Sequence, residues 1–222
     1  MTGVILYGNP LSTYTRTARL ALEEKGVAYA LEPVDHQAPE YRQIHPFGKI
    51  PAMRHGSLLL YETMAITKYV DAAFDGPPLQ PSDLASRAVM NQWISSIIHY
   101  YYGTMIRKLV FERFVAPMQG RATNEALVAE GLPEIKHQIG VLEATLRTTP
   151  HLAGDDATIA DMFLYPVLFY VNFSPEGREM VAGAPSVSEW LDRMGERAAV
   201  QATIPPIDKM QEDKAQKRAA AG

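Results

Sequence analysis

The rhythm of apolar and polar positions changes near residue 80. Before that point short apolar runs alternate with amphipathic stretches. Val4, Ile5 and Leu6 open a run that predicts a strand over 3–7. After a loop over 8–12, Ala18, Leu20, Ala21 and Leu22 among charges predict a helix over 13–25. Gly26 then suits a helix end. A second strand is expected over 27–34, and 39–44 reads as a helical turn broken by Pro46, Phe47 and Gly48. Residues 51–54 and 58–61 fit a hairpin turning across His55, Gly56 and Ser57. Ile66, Tyr69, Val70 and Ala73 share one side of a helix over 63–74.

The stretch 75–81 holds Gly76, Pro77, Pro78 and Pro81, a cluster that breaks any element. Only helical periodicity follows. Helices are expected from 84 to about 115, over 125–147 with Pro133 near its start, over 159–172 and over 187–197. The layout divides into an α/β domain over 1–75, a linker over 76–85, an all-helical domain over 86–208 and a polar tail over 209–222, which is expected to fray.

Composition narrows the chemistry. A formal charge of −4 with no basic block argues against nucleic acid or an anionic membrane surface as partner. The most apolar run, 162–173, is too short to span a bilayer and carries Pro166. No charged segment and apolar core precede Val4 in the manner of a secretory signal, so a cytoplasmic location is expected. Cysteine is absent, which excludes disulfides, thiolate-bound zinc and a protein thiol as nucleophile. Any thiol chemistry here needs a sulfur that arrives with a substrate. The six histidines show no metal-ligand spacing, so no metal is expected. A G-x-S-x-G elbow, an H-E-x-x-H pair, a phosphate-binding P-loop and a G-x-G-x-x-G turn are all missing.

Five segments carry a resemblance. They are Gly8-Asn9-Pro10-Leu11-Ser12-Thr13-Tyr14-Thr15-Arg16, His36-Gln37-Ala38-Pro39-Glu40-Tyr41, His45-Pro46-Phe47-Gly48-Lys49-Ile50-Pro51-Ala52, Glu62-Thr63-Met64-Ala65-Ile66, and Leu152-Ala153-Gly154-Asp155 with Thr158-Ile159-Ala160-Asp161. Each is weak alone. In this order and spacing, over about residues 3–205, the chain resembles the soluble glutathione transferases, in particular the serine-type phi and theta-like bacterial members. The resemblance implies a thioredoxin-like domain followed by an all-helical one, and a homodimer. It also implies glutathione as co-substrate and a small hydrophobic electrophile as its partner.

What it implies residue by residue follows the physics. Pro51 is the family's cis proline, a bend that would leave the backbone of Ile50 free to pair with the cysteinyl part of glutathione like an added strand. Glu62 and Thr63 would stand at the start of the second helix, where exposed N–H groups suit the γ-glutamyl carboxylate and Glu62 suits the ammonium. Lys49 and His36, with Gln37 beside them, would address the glycine carboxylate.

Ser12 is the expected catalytic residue. A cysteine thiol has a pKa near 8.5, so about 3% is thiolate at pH 7. Lowering it by about two units takes roughly 2.7 kcal/mol. One hydrogen bond to a charged group supplies about 1.5–3 kcal/mol and a helix N-terminus about 0.3–1 kcal/mol, which is sufficient. Tyr7, Tyr14 and Thr13 are rivals for that donor role. Leu11, Tyr14, Tyr101 and Met105 are expected at the electrophile pocket, with His99 and Phe173 as further candidates and the facing member of Tyr100, Tyr101 and Tyr102 left open. Thr158 and Asp161 read as a structural capping box.

His45, Thr63 and the Arg54-His55 pair depart from the family's usual residues. Conjugation is the leading activity. Glutathione-dependent isomerisation, dehalogenation, ether cleavage or peroxide reduction use the same sulfur, and a non-catalytic binder of the same fold is the alternative from another class.

Overall fold

The computed structural model describes residues 3–207; the tail expected over 209–222 lies outside the described residues. Strands β1 (Val4–Tyr7), β2 (Tyr29–Glu32), β3 (Ala52–His55) and β4 (Leu58–Tyr61) form one sheet in the order β2-β1-β3-β4. β1 runs parallel to β2 and antiparallel to β3, and β3 pairs antiparallel with β4. The parallel pair is joined by α1 (Thr13–Glu24), as a parallel crossover requires. Alternation along β1 sends Val4 and Leu6 into the main core, while Ile5 and Tyr7 join a smaller cluster with Tyr41 and Ala52 on the other face.

Helix α2 (Thr63–Ala73) packs beside α1 through Ile66 and Val70. Both helices and the sheet make up the thioredoxin-like domain. The rest is helical. α3 (Leu84–Ser96) continues without a break into a wide-wound stretch, Ile97–Val115, and a last short turn, α4 (Ala116–Met118). In the wide stretch hydrogen bonds run five residues back, as Ala116 N–H to the Phe111 carbonyl shows. α5 (Glu125–Leu146) accommodates Pro133 in its interior. α6 (Ile159–Val171) is buried along almost its whole length and forms the hub. α7 (Pro175–Ala182), α8 (Pro185–Gly195) and α9 (Ala198–Ala202) complete the domain.

The apolar pattern does not predict α7, and its few buried residues explain why. Its start is instead encoded by Ser174, whose hydroxyl accepts the Gly177 N–H, followed by Pro175 at the first helical position. No described helix is long and apolar enough to cross a membrane.

The two domains are bolted together. Leu79 in the linker accepts the Ile159 N–H at 3.0 Å. The Thr17 hydroxyl donates to the Met162 carbonyl at 3.1 Å, and Arg197 forms a bidentate pair with Glu24 at 2.7 and 2.8 Å. Arg16 is fully buried, donates to the Val200 carbonyl and Thr203 hydroxyl, and lies over the rings of Tyr165 and Phe169. Burial pulls its guanidinium below the ordinary arginine range, against the aromatic hydroxyls of Tyr165 and Tyr170. The first loop therefore sits on a rigid base.

Candidate active site

The loop 8–12 connects β1 to α1 and is held from both sides. Gly8 is needed where it stands, because a Cβ there would lie 2.5 Å from the Thr15 hydroxyl. The Asn9 side chain accepts the Leu11 N–H and its carbonyl accepts the Ser12 N–H, both at 2.9 Å. From the helical domain, the Tyr170 hydroxyl donates to the Leu11 carbonyl at 2.8 Å. Ser12 then takes extended φ/ψ as the N-cap of α1, and its Oγ accepts the Thr15 N–H at 3.3 Å. That bond uses a lone pair and leaves the O–H proton for another acceptor.

Pro51 follows a cis Ile50–Pro51 bond, and the β1–β3 ladder starts only at Ala52 opposite Tyr7. Ile50 thus lies beyond the end of the sheet. Its neighbour Lys49 is exposed, with its carbonyl held by the Tyr41 hydroxyl at 3.0 Å. Gly48, at φ 58, packs so closely that a Cβ would lie 3.0 Å from the His36 carbonyl. The backbone just before exposed Lys49 thus lies against that of half-buried His36, and exposed Gln37 follows His36 in the chain.

At the start of α2, Glu62 holds φ 70, the one positive φ outside glycine among the described residues. Such a conformation costs about 1–3 kcal/mol and persists only where the surroundings enforce it. Glu62 caps α2 without a side-chain bond to the helix, and Thr63 follows it, buried, in the first turn. First-turn N–H groups of α2 thus lack a side-chain cap and keep the positive end of the dipole open. Beside them His45 is buried, its ring 4.9 Å from that of Tyr61, and its Nδ1 accepts the Phe47 N–H. Burial lowers the His45 pKa below its usual value, and Glu62 opposes that shift.

The electrophile side differs from expectation in one respect. Tyr101 and Met105, four residues apart, share a face, but that face is the core. Met105 is fully buried, and Tyr101 packs on Trp93 and reaches the Gln138 carbonyl of α5 at 3.4 Å. Tyr102 instead stacks on Tyr14 with ring centroids 4.7 Å apart. In the wide-wound stretch the row through Tyr102 continues with Arg107 and Phe111, five and then four residues on. Arg107 lies over Tyr102 at 5.5 Å and over Phe111 at 5.0 Å. Regular 3.6-residue periodicity misses Tyr102 and Arg107 as a pair; three consecutive tyrosines were the only signal. Tyr100 is 66% exposed and His99 bonds back to Ser95 on the outer face, whereas Phe173 packs against Phe114 and Phe169.

Burial pushes the Tyr14 hydroxyl above its ordinary range, with Tyr102 and Glu62 adding to the effect and Arg107 opposing it. Burial likewise raises Tyr102, with Arg107 and a hydrogen bond to Thr13 opposing. Tyr14 thus lies within electrostatic reach of both Glu62 and Arg107. Tyr7, by contrast, accepts from Arg54 Nε at 3.3 Å on the far face of the sheet.

Two family models match, the glutathione S-transferase N-terminal domain over 6–78 and its C-terminal domain over 125–193. Glutathione S-transferase 1 of Triticum aestivum is 32% identical over 215 residues, covering 90% of this chain and 93% of that one. The chain belongs to the glutathione S-transferase family. Among solved structures, the transferase resembles glutathione S-transferase III in apo form with a TM-score of 0.84 and 32% identity, over 92% of this chain and 97% of that one. It also resembles glutathione S-transferase I from mais, solved with an atrazine glutathione conjugate, with a TM-score of 0.82 and 30% identity over 90% and 96% of the chains. These relatives of the transferase are plant phi-class proteins rather than the bacterial members expected from the motifs.

Proposed function

We propose that the protein binds glutathione across the first loop, residues 48–51 and the start of α2, and activates its sulfur as a thiolate for attack on a hydrophobic electrophile. The observation that carries this reading is Ser12, a hydroxyl with an uncommitted proton at the open end of α1. Its O–H donates to the sulfur, and the helix end adds to the same field. The sulfur then gives its electron pair to the acceptor carbon, a C–S bond forms, and the leaving group departs with its own pair.

The remaining assignments fit the tripeptide end to end. The open first turn of α2, with Thr63, receives the γ-glutamyl carboxylate while Glu62 meets the ammonium. The backbone of Ile50, beyond the β3 ladder, pairs with the cysteinyl unit. Lys49, His36 and Gln37 address the glycine carboxylate. Leu11, Tyr14 and Tyr102 border the acceptor, and the protein works without a metal in the cytoplasm. Calorimetric titration with glutathione, followed in parallel by ultraviolet thiolate absorbance at neutral pH, should show binding and a new thiolate band together. Binding without the band, and no turnover across aryl halides, isothiocyanates and hydroperoxides, would leave a ligand carrier instead.

A homodimer completes the reading. Phe47 is 65% exposed, in ring contact with exposed Tyr61, and Met64 lies close by in sequence on α2. Side chains of this size are rarely left in water as a group. Sedimentation equilibrium should return twice the chain mass, and Phe47→Asp should return the monomer; a wild-type monomer at micromolar concentration sinks the dimer.

A further inference from the structure

We propose that Arg107 selects the acceptor: it makes the electrophile site prefer aromatic acceptors that carry a carboxylate at the end remote from the reacting carbon. The inference rests on the glutathione reading above and names the substrate class of that same site.

The wide-wound stretch puts Tyr102, Arg107 and Phe111 in one row. The Arg107 guanidinium is flanked by two rings, Tyr102 at 5.5 Å and Phe111 at 5.0 Å. Both rings are within cation–π range of its charge. The five N–H donors lie in the guanidinium plane, in the fork geometry that matches a planar carboxylate. No carboxylate forms an ion pair with Arg107 among the described residues, whereas Arg113 is paired with Glu125 and Glu176 and Arg197 with Glu24. Arg107 is also exposed, so its edge is open to a ligand.

Its position relative to the sulfur follows from the contacts in between. Tyr14, two residues after Ser12, stacks on Tyr102 at 4.7 Å, and Arg107 lies over Tyr102 at 5.5 Å. An acceptor ring that meets a sulfur at Ser12 lies along the Tyr14–Tyr102 pair and ends at Arg107. With a net charge of −4 the molecule as a whole does not attract anions, so the preference is assigned to the local charge of Arg107.

The test uses the whole protein, glutathione and two acceptors, a chlorodinitrobenzoate and its methyl ester. In both the sulfur forms the C–S bond, the ring and nitro groups hold the added electron pair, and chloride leaves with the pair of the broken C–Cl bond. The ratio of kcat/KM for acid over ester should fall about tenfold in Arg107→Gln, recover in part in Arg107→Lys, and shrink with added salt in the wild type. An unchanged ratio in Arg107→Gln overturns the inference while the thiolate band stands. So does an equal loss with both acceptors accompanied by a raised glutathione KM, which would make Arg107 a glutathione contact. Absence of the thiolate band in the wild type overturns the underlying reading, and this inference with it.

Discussion

Replacement of Ser12 by Ala is expected to raise the pKa of bound glutathione by about two units, from near 6.5 back to near 8.5. The sign follows from the charge. The hydroxyl donor favours the charged thiolate and so depresses the pKa; its removal returns the thiol toward its solution value. At pH 7 the thiolate fraction then drops from roughly three-quarters to about 3%, a loss of about 25-fold, and toward pH 5 the loss approaches 100-fold. Binding should persist, because Ser12 is not assigned to the carboxylates or the ammonium. The deciding readout is thiolate absorbance against pH rather than turnover, since a more basic sulfur is the better nucleophile and partly offsets the smaller fraction. Loss of the N-cap bond to Thr15 costs about 1 kcal/mol of stability as well, which a melting curve separates from the titration. Tyr14→Phe is the control. The Tyr14 hydroxyl is pushed toward a weaker acid by burial and is the poorer donor, so its removal should leave the thiolate pKa nearly in place. A Ser12→Ala protein that keeps the wild-type pKa would transfer the role to Tyr14 or Thr13.

What the chain reveals by inspection depends on how local the determining physics is. The strand–loop–helix start is local: Gly8, Asn9 and Ser12 encode the turn and cap within five positions, and the structure has β1, the loop and α1 where the pattern predicts them. The hairpin over β3 and β4 is equally legible, with Gly56 at φ 59 in its turn. Glu62 is legible as a residue of the second helix start but not as a strained one, because its φ of 70 is imposed by the strand before it and the helix after it. The electrophile wall is the least legible part. Whether Tyr101 or Tyr102 meets Tyr14 depends on the winding per residue, accumulated along a helix that packs against α5 and α6. Tyr170 and Arg16 escape for another reason. Each acts across a separation of more than 150 residues, Tyr170 on Leu11 and Arg16 on Val200, which no local pattern can display.

Asp161→Ala is expected to be the most destabilising single substitution in the helical domain, by about 3–5 kcal/mol. Asp161 is fully buried at the third position of α6. One oxygen accepts the Thr158 N–H at 2.9 Å and the Thr158 hydroxyl at 3.0 Å, while the other accepts the Leu152 N–H at 3.1 Å and the Trp190 indole N–H at 3.0 Å. Truncation strands three N–H donors in the core, and each buried unsatisfied donor costs about 1–3 kcal/mol. The three donors belong to the loop before α6, the cap of α6 and the middle of α8, so their loss loosens the hub from two directions. For a chain of this size about 4 kcal/mol corresponds to roughly 8–16 °C in thermal midpoint. Asp161→Asn keeps an acceptor for one pair of donors and turns an NH2 group toward the other, so it should recover only part of the loss. Thr158→Ala removes one hydroxyl and should cost about 1 kcal/mol. A thermal midpoint for Asp161→Ala within a few degrees of wild type would mean that water or a rearranged loop satisfies the stranded donors, and the buried capping box would then be dispensable to the fold.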